Sequence, residues 1–244
     1  MKHFHYQSVS STNEVAKDLL EFAPMIAVSA DYQTHGRGRS SRVWSGESGA
    51  NLYCSFGIKY ENGNETEKIL LLQAIAALAV KKSLIDCYGT DIFKLKWPND
   101  IFALNKRNDY KKISGILIEN GFQGDNPKYS IVGIGINVNQ MNFNQDLSET
   151  AVSLALLGCQ TDVSQLFNIV KYHFLEYYQL NNSEIFSQWE MALSLKNKRI
   201  KLVSTGKYCN FVKLLQDGRL LLTDPETNHE QIIDDNQSIR YEFD

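Results

Sequence analysis

The pattern of apolar residues changes near residue 195, and this change limits how the chain can fold. Before that point, short β-type runs alternate with long helix-type runs. After it, every run is short, β-type and bounded by Thr-Gly, Asp-Gly or Asp-Pro turns. A chain of 244 residues is long enough for one large hydrophobic core and a small second one. The sequence therefore predicts two domains, residues 1–195 and residues 196–244, of which the second is all-β.

The first part of the chain has the periodicities of an α+β domain. Ser11 and Glu14 have the spacing of a capping box, which predicts a helix over residues 12–22. Residues 65–86 are rich in apolar side chains and contain no Gly or Pro, which is typical of a largely buried helix behind a sheet. Further helices are expected to dominate residues 151–194, and β-type runs occupy residues 26–30, 51–58, 92–104, 112–120, 129–139, 199–204, 208–215, 220–223 and 230–233.

Two turn signals among these runs bear on the shape of the sheet. Pro98 interrupts the run 92–104, and because proline cannot donate to a central ladder, we expect a bend or a sheet edge there. A turn-rich stretch separates residues 112–120 from residues 129–139. The runs at residues 112–120 and 129–139 are therefore predicted to form a hairpin.

Composition narrows the class of protein. The net charge of −3 and the pI near 6.0 argue against broad nucleic-acid binding, which needs Lys and Arg gathered on one face. The four cysteines form no CxxC pair and predict reduced thiols in a reducing compartment. No apolar stretch is long enough to span a bilayer, so a cytoplasmic protein is expected. His3 and His5 lie two apart on an expected strand and are interpreted as surface residues.

Residues 35–44 place three arginines beside two glycines. Gly36 and Gly38 are expected to let the backbone take positive φ and approach a ligand closely. Arg37, Arg39 and Arg42 are permanently charged donors that suit phosphate or carboxylate oxygens. A solvated basic turn explains this stretch equally well, so both interpretations stay open on these residues alone.

Several segments in series resemble the motifs of biotin protein ligases over roughly residues 1–195. They are Ser11-Thr12-Asn13, the GRGRxxRxW loop at residues 36–44, KWPND at 96–100, KxxGILxE at 112–119 and GxGxN at 133–137. The resemblance implies a catalytic domain like that of class II aminoacyl-tRNA synthetases, with a mixed, mostly antiparallel sheet backed by helices. It also implies a small C-terminal SH3-like β-barrel.

The activity implied by the resemblance is a two-step ligation. Biotin and ATP form biotinyl-5′-AMP and pyrophosphate, with Mg²⁺ accompanying the nucleotide. The biotinyl group then passes to a lysine of the biotin carboxyl carrier domain of acetyl-CoA carboxylase or a related carboxylase. Because biotin and ATP are both anions, cations are needed where they meet. The resemblance leaves open whether the chain forms a homodimer.

The motifs assign the reacting groups. Lys112 is expected to hold the biotin carboxylate and the α-phosphate, although an exposed strand-end lysine beside Lys111 is the competing interpretation. Arg37 and Arg39 would contact both biotin and the nucleotide, with Gly36 and Gly38 in the biotin-binding loop. Such a loop would shield the mixed anhydride from water.

The nucleotide side involves further residues. Arg42 and Asn99 would contact ATP, and Asn137 resembles the nucleotide-side asparagine of the family, with the GxGxN glycines clearing space for adenine. Trp44 would either stack on adenine or anchor the loop in the core. Asp100 would help to place Mg²⁺ or orient the acceptor lysine; no metal ligand is assigned beyond this.

Recognition of the biotin ring is expected from polar groups early in the chain. The resemblance assigns Ser11, Thr12, Asn13 and Gln33 to this role, where hydroxyls and amides would meet the ureido group. Alternatively, Ser11 caps a helix and Gln33 is an ordinary strand-end residue.

Two departures from the wider family modify the expectation. No winged-helix segment precedes Ser11, so a ligase without DNA binding is predicted. Residues 236–241 depart from the usual family ending, so no site residue is assigned in the second domain. The alternatives are a lipoate or octanoyl ligase, whose loop lacks the GRGRxxRxW pattern, and a catalytically silent biotin or nucleotide sensor.

Overall fold

The computed structural model describes residues 1–39, 42–60, 66–235, 238–241 and 243. Its helices are α1 (Thr12–Leu19), α2 (Thr66–Tyr88), α3 (Gln145–Ser148), α4 (Val163–Gln179) and α5 (Asn182–Leu193). Its strands are β1 (Lys2–Val9), β2 (Met25–Gln33), β3 (Leu52–Lys59), β4 (Phe93–Lys96), β5 (Asp100–Leu104), β6 (Tyr110–Gln123), β7 (Asn126–Ile136), β8 (Arg199–Leu202), β9 (Tyr208–Leu214), β10 (Leu220–Thr223), β11 (Glu230–Ile233) and β12 (Ile239–Arg240).

A seven-stranded sheet forms the centre of the larger part, in the order β1-β2-β3-β7-β6-β5-β4. Strands β1 and β2 are parallel, and the other neighbouring strands are antiparallel. The prediction of a mixed, mostly antiparallel sheet is thus confirmed. The predicted hairpin is β6–β7, and the bend at Pro98 joins β4 to β5 with β4 at the sheet edge.

The two faces of the sheet are covered by different helices. Because side chains alternate along a strand, Ile26 and Val28 of β2 pack under α1 while Ala27 enters the larger core on the other face. That larger core lies beneath α2, α4 and α5. Phe56 of β3 stacks on Phe174 of α4 with ring centroids 4.2 Å apart. Burying each such ring stabilises the fold by about 1.5–3 kcal/mol.

Two local expectations differ from the structure. The first helix ends at Leu19, earlier than predicted, and Ser11 is its N-cap residue without a side-chain capping bond. Residues 151–162 are not helical. They pair with the main sheet, since Val152 N donates to Lys112 O (2.9 Å) and Leu154 N donates to Asn137 O (3.2 Å). Of the predicted helix 65–86, residue 65 lies outside the described residues.

The smaller sheet is antiparallel, with the order β11-β10-β9-β8-β12. It fits the predicted SH3-like barrel, and it packs on the β4–β5 connection. Trp97 N donates to Tyr241 Oη (2.8 Å), and Trp97 Nε1 donates to Gly218 O (2.7 Å). The domain boundary at residue 195 stays a prediction.

Two findings concern expectations from composition. Within the described residues, no helix is both long and apolar enough to cross a bilayer. All four cysteines are free thiols: Cys54 and Cys209 are buried, whereas Cys87 and Cys159 are partly exposed.

Candidate functional site

A hollow lies on the α1 face of β3, β6 and β7, where three positions that would carry side chains are glycines. Gly133 and Gly135 alternate with core residues along β7, and Gly115 lies on the same face of β6. Most of the predicted site residues line this hollow: Ser11, Thr12, Asn13, Gln33, Arg37, Gly38, Arg39, Trp44, Asn99 and Lys112. Gly36, Arg42, Asp100 and Asn137 are not among its lining residues.

The indole of Trp44 fills part of the hollow. A Cβ atom on Gly135 would lie 2.4 Å from Trp44 Cε2, and one on Gly115 would lie 2.9 Å from Trp44 Cζ3. The cavity that remains measures about 50 Å³, below the roughly 300–1,000 Å³ typical of small-molecule sites. In this form, the space expected to hold adenine in front of Gly135 is therefore occupied by Trp44. The buried Trp44 Nε1 has no hydrogen-bond partner among the described residues.

A β-bulge turns Lys112 toward the hollow. The register between β5 and β6 shifts so that Ile101 faces Ser114 while Phe102 faces Lys112, which leaves Ile113 as an extra residue. Lys112 Nζ lies 5.4 Å from the centroid of the Trp44 ring. Lys111 points elsewhere, because its ammonium donates to Ser148 O (3.0 Å). The geometry thus separates the two candidate lysines.

Asp100 pairs with Lys112. Lys112 Nζ lies 2.6 Å from Asp100 Oδ1, and the aspartate side chain is only 13% exposed. The contact lies outside hydrogen-bonding angles, since this oxygen has no hydrogen-bond partner among the described residues. In the described part of the chain, no three His, Cys, Asp or Glu side chains converge as a metal site. Asp100 alone suits a cation held chiefly by phosphate oxygens.

A hydrogen-bonded cluster of small polar groups forms the floor near the start of α1. Ser55 Oγ, which is fully buried, lies 2.7 Å from Thr12 Oγ1 and 2.6 Å from Asn13 Oδ1. Gln33 Oε1 accepts from Thr12 N (2.8 Å), which turns the Gln33 amide nitrogen away from Thr12. Because Ser11 makes no capping bond, its buried hydroxyl is not committed to the helix end. These groups are arranged to meet a small polar, uncharged ligand.

Two arginines of the loop line the hollow, and they are held by different partners. Arg37 Nη1 donates to Glu14 Oε1 (2.8 Å), and Arg37 Nη2 donates to Glu119 Oε1 (3.2 Å). The pKa of Glu14 lies below its usual value, first because Ser10 donates to it and also because of Arg37. Arg39 Nη1 donates to Asn99 Oδ1 (3.2 Å). Contacts within the chain therefore orient both guanidiniums.

Neither loop glycine has positive φ, and only Gly36 is required by a close approach of the backbone. Neither Gly36 nor Gly38 has φ in the left-handed region, so that expectation is wrong. Trp44 N donates to Gly36 O (2.9 Å), and a Cβ on Gly36 would lie 2.2 Å from Trp44 O. Gly38 N donates to Arg42 O (2.7 Å). Residues 40 and 41 of this loop lie outside the described residues.

Two motif residues serve the framework. Asn137 Nδ2 donates to Val152 O (3.1 Å), so its side chain holds the 151–162 segment rather than lining the hollow. Lys96 Nζ lies 4.8 Å from the centroid of the Phe102 ring. Burial lowers the pKa of Lys96; nearby Asp100 opposes this shift.

Four residues at the site had no predicted role in ligand binding. Ser55 is a hydroxyl in a buried strand, and Gly115 lacks a side chain on the pocket face. Glu14 and Glu119 were read only as parts of motifs. The alternation of Ser55 with apolar neighbours was the available signal for one of them, since a buried hydroxyl needs partners. The carboxylates gave no comparable signal.

The comparisons place this geometry among known proteins. Residues 6–137, more than half of the chain, match the biotin/lipoate A/B protein ligase family. The bifunctional ligase/repressor BirA of Bacillus spizizenii is 39% identical over 161 residues, which are 63% of this chain and 46% of that protein. BirA of Salmonella typhimurium is 30% identical over 207 residues, which are 82% of this chain and 62% of that protein. The chain thus spans about half the length of the Bacillus relative.

Solved structures extend the likeness to nearly the whole chain. Biotin protein ligase from Aquifex aeolicus, in complex with biotin and ATP, has a TM-score of 0.75 and 27% identity, with 99% of both chains covered. The Leishmania major enzyme in complex with biotinyl-5-AMP has a TM-score of 0.64 and 23% identity, covers 96% of this chain and 99% of its own, and shares the fold. The predicted fold is confirmed, and the chain belongs to the biotin/lipoate A/B protein ligase family.

Proposed function

We propose that this chain is a biotin protein ligase that forms biotinyl-5′-AMP and transfers biotin to a lysine of a biotin carboxyl carrier domain. One observation carries the proposal: Arg37, Arg39 and Lys112 line one hollow together with the uncharged cluster around Thr12 and Asn13. Such a hollow has an uncharged polar end for the ureido ring and a cationic end for carboxylate and phosphate. The Aquifex aeolicus structure with biotin and ATP supports the choice of ligands.

In the first step, a carboxylate oxygen of biotin attacks the α-phosphorus of ATP and pyrophosphate leaves. Lys112, which lies over Trp44 and beside Asp100, would bring a positive charge to the forming acyl-phosphate bond. Arg39, oriented by Asn99, would hold the phosphate, and Arg37 would hold the biotin carboxylate. These cations oppose the repulsion between two anions, which is the main obstacle to the step. Arg42 and Asn137 remain further nucleotide-side proposals.

In the second step, the uncharged amine of the acceptor lysine attacks the acyl carbon and AMP leaves. The amine loses a proton, and Asp100 is the carboxylate placed beside Lys112 that can accept it or orient the amine. When Mg²⁺ accompanies ATP, it would neutralise phosphate charge, with Asp100 the residue suited to hold it. The cavity beside the Trp44 ring is too small for biotin and ATP. Trp44 must therefore leave part of the hollow or stack on the ligand.

The direct experiment supplies purified protein with ATP, Mg²⁺ and either biotin or lipoate. Pyrophosphate release with biotin but not with lipoate supports the proposal, and the opposite result favours a lipoate ligase. Addition of a carrier domain is expected to increase the mass of that domain by one biotinyl group. A folded protein that binds biotin and ATP without releasing pyrophosphate would instead be a sensor.

The cell compartment and the acceptor follow from the same proposal. Free thiols at Cys87 and Cys159 agree with a cytoplasmic location, where a carboxylase carrier domain would be the partner. Nucleic acid is not a proposed partner. A homodimer is tested by size-exclusion chromatography with light scattering, in the presence and absence of biotin and ATP.

A further inference from the structure

Glu119 joins two parts of the hollow that are far apart in the sequence. Its Oε2 accepts a hydrogen bond from Asn13 Nδ2 at 2.6 Å. The same carboxylate accepts hydrogen bonds from Arg37 Nη2, at 3.2 Å to Oε1 and 3.3 Å to Oε2. One side chain of β6 therefore contacts both the buried amide at the start of α1 and a cation of the arginine loop.

The first contact fixes which end of the Asn13 amide faces which neighbour. An ionised carboxylate only accepts hydrogen bonds, so the nitrogen of the amide must face Glu119. The amide oxygen then faces Ser55 Oγ at 2.6 Å. Asn13 is 5% exposed, and a reversed amide would place its oxygen against the carboxylate in a buried site. Glu119 thus sets the donor pattern at the floor of the hollow.

The second contact sets the position of Arg37. Glu14 contacts the other end of the guanidinium at 2.8 Å, so Arg37 is held between α1 and β6. The side chains of Glu14 and Glu119 are 46% and 40% exposed. Exposed ion pairs of this kind contribute little to folding stability. Their effect is on where the guanidinium lies.

We propose that Glu119 is a positioning residue that couples recognition of the biotin ring to recognition of the biotin carboxylate. This inference rests on the proposed function, in which the ring meets the segment containing Asn13 and the carboxylate meets Arg37. A change in Glu119 then acts on both ends of the ligand, and the two effects are separable with suitable variants.

The test compares biotin with biotinol, which has the same ring and an alcohol in place of the carboxylate. Affinities are measured by calorimetry without ATP. Glu119→Gln keeps an oxygen for Asn13 but presents no charge to Arg37. We expect it to weaken biotin binding about tenfold and leave biotinol binding within about twofold, because only Arg37 loses its position. Glu119→Ala removes both contacts and is expected to weaken both ligands.

Glu149→Gln is the matched control, since it removes the same charge from an exposed residue that pairs with Lys111 (3.8 Å). It is expected to leave both affinities unchanged. Equal losses for both ligands in Glu119→Gln, no loss at all, or the same biotin-specific loss in Glu149→Gln would each overturn the coupling role. Biotinol binding also reports that Glu119→Gln is folded. A wild-type protein that binds neither ligand would contradict the proposed function instead.

Discussion

Lys112 and Gly115 are three residues apart in β6, yet both face the hollow. In a regular strand, residues three apart point to opposite faces. The bulge in β6, opposite Ile101 and Phe102 of β5, adds Ile113 as an extra residue and returns Lys112 to the pocket side. Simple alternation from Gly115 would have placed Ile113 and Lys111 there. An irregularity in the sheet therefore decides which of the two neighbouring lysines faces the hollow.

This relationship predicts different effects for the two neighbouring lysines. Lys112→Ala is expected to lower the rate of adenylate formation by about 10²–10³-fold, the usual cost of losing a group that stabilises charge in the transition state. Lys111→Ala removes contacts to Ser148 O and Glu149 that lie outside the hollow, and it is expected to stay within about threefold. Biotin-dependent exchange of pyrophosphate into ATP measures both. The reverse ranking would assign the chemistry to Lys111.

The loop glycines are also expected to differ. Gly36→Ala would place a Cβ atom 2.2 Å from Trp44 O. Such overpacking costs about 1–3 kcal/mol, so we expect adenylate formation to fall by about 5- to 150-fold if the whole cost falls on the closed loop. In Gly38→Ala, the nearest atom to the new Cβ among the described residues would be Arg42 O at 3.5 Å, and activity is expected to remain within about twofold. Equal losses would show that conformational freedom, rather than close approach, is what the glycines provide.

The buried hydroxyl of Ser55 gives a third prediction. Ser55→Ala leaves polar atoms of Thr12 and Asn13 without this partner, which costs about 1–3 kcal/mol. We expect this loss mainly in biotin affinity, measured by calorimetry. Ser83→Ala is the control, because Ser83 is equally buried but donates to Ala79 O within α2. A loss of biotin affinity in the control as large as that in Ser55→Ala would rule out a local effect at the floor.

His3 predicts part of the pH dependence of stability. Burial, followed by the charges of Lys171 and His5, lowers the pKa of His3 in the folded protein. Its ring stacks on Phe167 at 4.2 Å and lies 2.8 Å from Ser29 Oγ. Since protonation is then easier in the unfolded chain, this group destabilises the fold as pH falls from about 7 to about 5.

Replacement of the ring tests this sign. His3→Gln cannot titrate in this range, so the difference in melting temperature between variant and wild type is expected to shift in favour of the variant as pH falls. Melting curves at several pH values provide the measurement. A difference that stays constant with pH would show that protonation of His3 does not distinguish the folded and unfolded states.

Much of the fold could be predicted because it follows from local patterns. The buried helix near residues 66–88 lacks Gly and Pro, and the β6–β7 hairpin has a turn-rich connection. The prediction of helix was wrong for residues 151–162 because their backbone groups pair with Lys112 and Asn137, which are distant in sequence. The local spacing of apolar residues does not reveal such distant partners.

Part of the site could likewise be predicted from the sequence, and part of it could not. The loop arginines and Lys112 could be proposed from motifs, whose residue types suit anions. The hydrogen bond from Asn137 to Val152 O could not be predicted from the motif, because it depends on how the 151–162 segment packs. Glu119 and Ser55 make their contacts to Asn13 only when β3, β6 and α1 meet on one face of the sheet, so their roles could not be predicted.

The contacts of Trp97 have a consequence for the order in which the protein matures. Both nitrogens of Trp97 donate to groups far downstream, Gly218 O and Tyr241 Oη. A chain leaving the ribosome has completed all seven strands of the main sheet long before these acceptors exist. The connection between β4 and β5, which contains Asn99 and leads into Asp100, therefore lacks both hydrogen-bond acceptors until the last part of the chain has been synthesised.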